Sequence, residues 1–336
     1  MSSPEDEEAK QGNLLRDKGD FDGAIAAYTE AIRLNPENAQ PYSGRGQAYL
    51  RKGDFDKAIA DCNKAIQLDP MMAEAYCCRC DSHGRNGEFD KAIADWAEAI
   101  RLDPHRAEAY CTEAIRLDPL RAEAYCARGL VYGQKGDLDR GIADCTEAIR
   151  LDPKSPQAFR ARAGLYRKKG RFDKAIEDLT EAIRLDPRDA GLYRGRAYAC
   201  FKKGEFDKAI ADYNETIRLD PKQAEAYCWR GWSYEKKGDL DKAIVDFTEA
   251  IRLDPESAEA YQYRGCAYSS KGDHDNAITD LTAAIRISPE AGVLFYARGY
   301  SYRQKNDNAK ADVDFAQAEK LGYKPKSGGV PSPGEG

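Results

Sequence analysis

The chain has 336 residues, a length that by itself favours two or three domains. Acidic residues outnumber basic ones by 58 to 52, which argues against a general affinity for nucleic acid phosphates. The first ten residues lack the basic and apolar parts of a secretory signal, and no later stretch is apolar enough to span a membrane. We therefore expect a cytoplasmic protein with reduced cysteines that binds neither nucleic acid nor membrane.

A short motif, LDP or a close variant, recurs along the chain. Successive prolines of this motif are 34 residues apart, with one exception of 15 residues that leaves a 19-residue block absent. A regular period of this size is typical of stacked helical repeats. The motif ends at Pro36, Pro70, Pro104, Pro119, Pro153, Pro187, Pro221, Pro255 and Pro289.

Each 34-residue unit has the pattern of two helices joined by a tight turn. In the unit 224–257, Tyr227, Gly231 and Tyr234 fall on one helical face. Gly238 follows and can adopt the left-handed conformation that ends a helix. A second amphipathic stretch then runs to the proline of the motif. The unit therefore predicts an antiparallel helix pair.

This pattern resembles the tetratricopeptide repeat. Counted from Ala224, the unit has an aromatic residue fourth, a small one eighth, Tyr eleventh, Ala twentieth, an aromatic residue twenty-fourth, Ala twenty-seventh and Pro thirty-second. The resemblance covers residues 5 to about 323. It implies an all-α fold, a right-handed α-solenoid of antiparallel helix pairs. One pair buries too little apolar surface to fold alone, so neighbouring pairs must stabilise each other.

The repeats predict the organisation of the chain. An N-terminal extension at 1–4 precedes three units at 5–106, a truncated unit at 107–121, six units at 122–323 and a flexible tail at 324–336. The truncated unit joins the start of a first helix to the end of a second and predicts a single helix. Because one helix leaves the chain at the opposite end from a helix pair, we expect a break in superhelical phase near 105–122.

One cluster raises the possibility of thiol or metal chemistry. Cys77, Cys78, Cys80 and His83 lie within seven positions, as ligands of zinc can. On a helix Cys78 points away from the other three, and Cys77 recurs at the same place of other units. We interpret the cluster as packed side chains and expect no cofactor. The alternative function is a thiol redox or zinc-binding protein that uses these four residues.

A second recurring feature pairs arginine with aspartate. Arginine occupies the seventh place and aspartate the twenty-third in every full unit except the first, which has Gln11 and Ala27. Because the two residues are present or absent together, we predict a ladder of partly buried ion pairs within the hairpins. The alternative is a row of arginines that binds phosphate groups.

The places that vary between units indicate the binding surface. The resemblance implies that first helices line a concave face where such proteins hold extended peptides or partner helices. On these helices the second, fifth, ninth, twelfth and thirteenth places point away from the hairpin core, and the sixth place borders them. In the later units many residues at these places are aromatic or basic, as in binding hot spots. We expect a peptide with acidic or aromatic residues to bind there. The candidate residues are Arg160, Arg167, Lys168, Arg194, Tyr198, Phe201, Lys202, Trp229, Trp232, Tyr263, Tyr296, Tyr300 and Arg303.

These observations favour a non-catalytic protein–protein interaction scaffold over an enzyme, because repeats occupy nearly the whole chain. One family use is disfavoured. Adaptors that bind the acidic C-termini of heat-shock chaperones carry a defined set of Lys, Asn and Arg in three consecutive units. No three units match it here, since Arg160 is followed by Gly164, Gly195, Glu225 and Trp229 at the required places.

Overall fold

The computed structural model describes residues 3–103 and 107–324, and every regular element within these ranges is an α-helix. Successive helices pack as hairpins, and within each of the two compact units described below successive hairpins pack on one another. The predicted all-α solenoid is therefore confirmed. The tail predicted for 324–336 lies outside the described residues beyond Lys324. No helix in the described ranges is both long and apolar enough to cross a bilayer.

The chain divides into two compact units, Met1–Pro153 and Lys154–Gly336. The helices of the first unit are α1 Pro4–Asp17, α2 Phe21–Leu34, α3 Ala39–Lys52, α4 Phe55–Leu68, α5 Ala73–Arg85, α6 Phe89–Leu102, α7 Ala107–Leu117, α8 Ala122–Gln134 and α9 Leu138–Leu151. Those of the second unit are α10 Pro156–Lys168, α11 Phe172–Leu185, α12 Ala190–Lys202, α13 Phe206–Leu219, α14 Ala224–Lys236, α15 Leu240–Leu253, α16 Ala258–Ser270, α17 His274–Ile287, α18 Gly292–Gln304 and α19 Asn308–Lys320.

The turn between α14 and α15 has the chemistry that the sequence predicts. After α14 the chain reverses at Gly238, whose φ of 83° is in the left-handed region. The Asp239 side chain then accepts a hydrogen bond of 3.3 Å from the Lys242 amide and caps α15. In the last hairpin Asn306 takes the turn with a φ of 63°, as its short polar side chain allows.

Small residues allow the two helices of a hairpin to approach closely. A Cβ atom on Gly231 would lie 2.9 Å from the Phe247 ring and 3.1 Å from the Asp246 Cβ. Phe247 and Ala243 are fully buried on the facing helix. A larger residue at Gly231 would therefore push the hairpin apart.

The predicted ion pairs are present within the hairpins. Each seventh-place arginine donates from Nε and Nη2 to both oxygens of the aspartate 16 residues later, at 2.5–2.9 Å. Both side chains are mostly buried, as in the Arg196–Asp212 pair, whose exposures are 21% and 11%. The pairs are Arg45–Asp61, Arg79–Asp95, Arg128–Asp144, Arg162–Asp178, Arg196–Asp212, Arg230–Asp246, Arg264–Asp280 and Arg298–Asp314.

The same arginines also join neighbouring hairpins, which the sequence did not predict. In six of them the remaining nitrogen, Nη1, donates to a threonine or asparagine that lies 16 residues earlier on the preceding hairpin. In the second unit, Arg196 reaches Thr180 at 3.0 Å and Arg230 reaches Asn214 at 2.7 Å. One guanidinium thus holds three helices together.

The short helix α7 packs against α8 in the manner of a second helix. Its Thr112 accepts a hydrogen bond of 3.4 Å from Arg128 Nη1, as threonines of full hairpins do. Lys135, which follows the last residue of α8, also pairs with Glu108 of α7 at 2.6 Å. Toward α8, α7 therefore acts as the second helix of a hairpin without a first helix. The break in superhelical phase near 105–122 stays a prediction.

Candidate peptide-binding surface

The first helices of the hairpins line one side of the second unit. Each of α10, α12, α14 and α16 contacts the next first helix along the unit. The second helices α11, α13, α15, α17 and α19 make no such contacts among themselves in the described residues. Because first helices lie closer together than second helices, they form the inner side of the curved stack.

Two of the predicted basic residues are already paired. Arg160 Nη1 lies 3.0 Å from Asp189 Oδ2, and Arg194 Nη1 lies 2.8 Å from Glu225 Oε2. Both pairs link one first helix to the start of the next, and all four side chains are at least 31% exposed. The arginines therefore present less positive charge to a ligand than the sequence indicates.

The basic character of the inner side is strongest around Tyr198. The Arg167 guanidinium lies 4.9 Å from the centroid of this ring, and the Lys202 ammonium lies 5.5 Å from it. Both cations are exposed, and neither forms an ion pair with a carboxylate among the described residues. Lys168 is also exposed, at the end of α10. We call Arg167, Tyr198 and Lys202 the basic patch.

Four other predicted residues form an aromatic cluster. Phe201 and Trp232 are only 8% and 9% exposed, with ring centroids 4.8 Å apart. Trp229 packs edge-on against Phe201 at 5.3 Å, and Tyr263 stacks on Trp232 at 5.8 Å. Phe201 and Trp232 thus contribute mainly to packing between first helices, while the half-buried Trp229 and Tyr263 border the surface.

Residues predicted in the last hairpin contact that hairpin itself. The Tyr296 ring lies 5.3 Å from the rings of both Phe315 and Tyr323. Arg303 pairs with an aspartate of α19 at 2.6 Å and lies 5.3 Å from the Phe315 ring. Tyr300 is half-buried, and its ring has no aromatic partner among the described residues. The structure therefore does not join these residues to the basic patch.

A cleft of about 330 Å³ opens beside the aromatic cluster, and the sequence did not predict it. Three of its lining residues carry carboxylates, namely Glu225, Asp254 and Glu259. The sequence contained one sign of this cleft. The fifth place holds arginine in two consecutive units and an uncharged cysteine in the next. The full lining is Ala224, Glu225, Cys228, Trp229, Trp232, Asp254, Ser257, Glu259 and Tyr263.

One buried carboxyl group lies on the same helix as the two tryptophans. Burial raises the pKa of Glu235 to about 7. Its Oε2 atom is buried without a hydrogen-bond partner in the described structure, as is the Nε1 atom of Trp232. Buried polar atoms without a partner are uncommon in folded proteins.

The first unit has a groove that the sequence also missed. It encloses about 600 Å³ and is lined by polar residues of α1, α3 and α5, among them Asn13, Arg16, Gln47 and Asp81. Arg16 Nη1 donates to Gln47 Oε1 at 2.8 Å across the first two hairpins. With no aromatic residue in its lining, this groove lacks the anchors that concentrate binding energy.

The candidate metal ligands make separate contacts. The Nδ1 atom of His83 pairs with Glu88, and its Nε2 atom lies 3.9 Å from Asp95 Oδ2. Cys80 fills the small-residue place between the helices and is 7% exposed. The described residues contain no group of three or more His, Cys, Asp or Glu side chains arranged to hold a metal ion.

The thiols of this cluster are poorly suited to reactivity. Contact with the Cys62 thiol, together with burial, raises the pKa of Cys78 well above its ordinary value. Burial likewise raises the pKa of Cys80. Because the thiolate is the nucleophile and the zinc ligand, raised pKa values disfavour both redox and zinc chemistry.

Comparison with known proteins finds the same repeat. Tetratricopeptide repeat models match residues 9–73, 73–106, 122–155, 224–257 and 247–279, and a TPR repeat model matches 163–202 and 197–238. No curated protein gives a match.

Solved structures are also similar to this chain. The crystal structure of MamA is 30% identical, covers 48% of this chain and 94% of its own, and gives a TM-score of 0.47. YrrB, described as a TPR protein with an unusual peptide-binding site, is 23% identical over 56% of this chain and 97% of its own, with a TM-score of 0.50. Since the repeat models and the stacked helix hairpins agree along the chain, the protein belongs to the tetratricopeptide repeat family.

Proposed function

We propose that this protein is a non-catalytic scaffold whose second unit binds a peptide segment of a partner protein along its first helices. Membership of a repeat family used for protein interaction supports the general role. The basic patch supports the more specific role, the binding of a peptide segment. Arg167 and Lys202 are exposed cations beside an aromatic ring and lack carboxylate partners among the described residues, which is what an acidic or aromatic peptide segment requires.

The position of the patch also favours a peptide over a small ligand. Residues of the patch lie on α10 and α12, so an extended chain that crosses these helices can contact several hairpins at once. Individual contacts at an exposed surface are weak, and affinity then comes from their number. We therefore expect micromolar rather than nanomolar binding, with a marked decrease as salt concentration rises.

A peptide-display experiment with the full chain tests this function. Peptides selected from a random library are synthesised, and their dissociation constants are measured by fluorescence anisotropy. The binding variant carries Arg167→Glu and Lys202→Glu. The control variant carries Lys242→Glu and Arg252→Glu, which reverse two exposed charges on the second helix α15.

We expect the selected peptides to be rich in acidic and aromatic residues. The binding variant should lose about tenfold or more in affinity, because attraction at two cations becomes repulsion. The control variant should retain nearly full affinity. Selected peptides that bind both variants equally well, or a library that yields no binder, would contradict the proposal.

A further inference from the structure

The cleft beside the aromatic cluster interrupts a pattern of ion pairs between neighbouring first helices. Arg160 and Arg194 occupy the fifth place of α10 and α12, and each pairs with an acid at the start of the next first helix. The next residue in this series is Cys228 on α14, which carries no charge. The facing acid is nevertheless present, because Glu259 repeats Glu225 after 34 residues. An acid thus remains where its cation is absent.

The walls of the cleft are suited to a cation. Trp229 and Trp232 lie with ring centroids 4.9 Å apart and an angle of 36° between their planes. Tyr263 stacks on Trp232 from the next first helix, 5.8 Å away at 21°. All three line the cleft. The faces of aromatic rings attract ammonium and guanidinium groups, and a partly desolvated site strengthens that attraction.

The charges around the cleft favour the same ligand. Its lining contains three carboxylates and neither lysine nor arginine. Glu225 already forms an ion pair with Arg194. Glu259 and Asp254, at the rim, form no ion pair among the described residues. Lys236 lies outside the lining, with its ammonium 6.0 Å from the Trp232 ring centroid. The cleft is therefore an aromatic pocket with excess negative charge.

We propose that this cleft binds the side chain of an arginine in the partner peptide. The guanidinium would take the place that Arg194 takes one hairpin earlier, with its plane against the half-buried Trp229 and its N–H groups toward Glu259. The inference rests on the proposed function, since the arginine belongs to the peptide that binds along the same first helices. It adds that the peptide carries a basic residue next to the segment that contacts the basic patch.

A titration with a small probe tests the cleft separately from peptide binding. The full chain is titrated with Nα-acetyl-arginine amide at constant ionic strength, while tryptophan fluorescence is recorded. Two of the three tryptophans of the chain line the cleft, so occupancy should change the signal. Nα-acetyl-glutamine amide, which has a similar size and no charge, is the control ligand.

Three variants make the test specific. Glu259→Gln removes the carboxylate that faces Cys228, and we expect about 2- to 5-fold weaker probe binding. Cys228→Arg supplies an internal guanidinium to Glu259, and we expect it to abolish probe binding. Glu256→Gln removes the same charge from an exposed residue outside the lining, and affinity should not change. Glu259 is exposed, so its substitution leaves the fold intact.

Several results would overturn the inference. These are saturation by the glutamine probe at equal concentration, no response to the arginine probe, or equal probe affinity in the Glu259→Gln and Glu256→Gln variants. A dimer that dissociates as the arginine probe saturates would assign the cleft to a second copy of this chain instead. If the selected peptides bind normally while the probe fails, only the cleft assignment is wrong. If the probe binds while no peptide does, the proposed function fails.

Discussion

Arg196 shows how one side chain supports both a hairpin and its stacking. Two of its nitrogens hold Asp212 at 2.8 Å on the same hairpin, and the third donates to Thr180 on the preceding one at 3.0 Å. The hydrogen bond to Asp212 also raises the pKa of the guanidinium, so this side chain stays charged at any accessible pH. Partial burial makes such a bidentate pair stronger than an exposed one.

Removal of this carboxylate should destabilise the second unit. We expect Asp212→Asn to lower the free energy of unfolding by about 2–3 kcal/mol, because a mostly buried arginine loses its counter-charge. Glu215→Gln on the same helix is the control. It breaks an exposed pair with Arg218 and should change the stability far less than Asp212→Asn does.

Urea unfolding followed by circular dichroism measures both variants. Equal losses for the two would show that burial does not strengthen the recurring pair. Unchanged stability of Asp212→Asn together with loss of peptide binding would assign the arginines to a ligand, as the alternative interpretation of the sequence holds.

The buried Glu235 predicts a pH dependence. Its folded-state pKa of about 7 is above the ordinary value of 4.5, so the folded protein retains a proton that the unfolded chain has lost. The contribution of Glu235 to the free energy of unfolding therefore decreases as pH rises from about 4.5 to 7, and it does not recover above that range. Glu235→Gln, which cannot ionise, should stabilise the protein at pH 8 by roughly 1–3 kcal/mol and have little effect at pH 4.

Thermal unfolding at pH 4 and pH 8 checks this prediction. Glu256→Gln, an exposed residue of the same unit, is the control and should change neither melting temperature. A stabilisation by Glu235→Gln that is the same at both pH values would show that the carboxyl group does not titrate in this range.

In some hairpins the spacing between the two helices depends on a single glycine residue. A Cβ atom on Gly265 of α16 would lie 2.9 Å from Leu281 Cγ and 3.3 Å from the Ala277 carbonyl oxygen. Leu281 is fully buried and has no room to move. Gly164 of α10, by contrast, faces open space, because a Cβ atom at this position would have no neighbouring atom within 4 Å.

These two glycines should respond to alanine with opposite signs. Gly265→Ala is expected to destabilise the unit by about 1–3 kcal/mol through overpacking. Gly164→Ala is expected to stabilise it by up to about 1 kcal/mol, because alanine favours the helix and meets no neighbour. Chemical denaturation of the full chain measures both, and a gain for Gly265→Ala would mean that the helices separate at little cost.

At this scale the sequence predicted the helices better than the contacts of their surfaces. The 34-residue period and the turn glycines placed each hairpin, since both follow from local backbone preference. Phe201 and Trp232 were predicted to face a ligand but mostly pack between first helices, with exposures of 8% and 9%. Their burial depends on the twist between hairpins, which a helical period alone does not contain.

The whole molecule depends on contacts between hairpins. The hydrogen bonds from arginine Nη1 atoms and the ring contacts of the aromatic cluster both join one hairpin to the next. A hairpin in isolation would lose all of them while it still had to order its backbone.

We therefore expect a peptide of residues 224–257 to be mostly unfolded. Far-ultraviolet circular dichroism should show little helix and no cooperative thermal transition, whereas the full chain should melt cooperatively. A sharp melting transition of the peptide would contradict a fold held together by its neighbours.

Charge complementarity was the least predictable property at this scale. Arg160 and Arg194 made the inner side look basic in the sequence, but Asp189 and Glu225 neutralise them across adjacent hairpins. These partners are 29 and 31 residues away along the chain, at places that have no fixed relation to the arginines until the stacking angle is known.

Seventh-place arginines bind partners 16 residues forward and 16 residues back, which has a consequence for how the repeat array can change in length. Insertion or loss of one complete 34-residue block leaves each arginine with an aspartate ahead of it and a threonine or asparagine behind it. The array can therefore lengthen or shorten by recombination without an arginine that lacks its hydrogen-bond acceptors. Loss of the 19-residue block fits the same logic, because α7 retained Thr112 for Arg128. The number of repeat units is therefore free to vary, whereas the positions at which a block begins and ends are constrained by these hydrogen bonds.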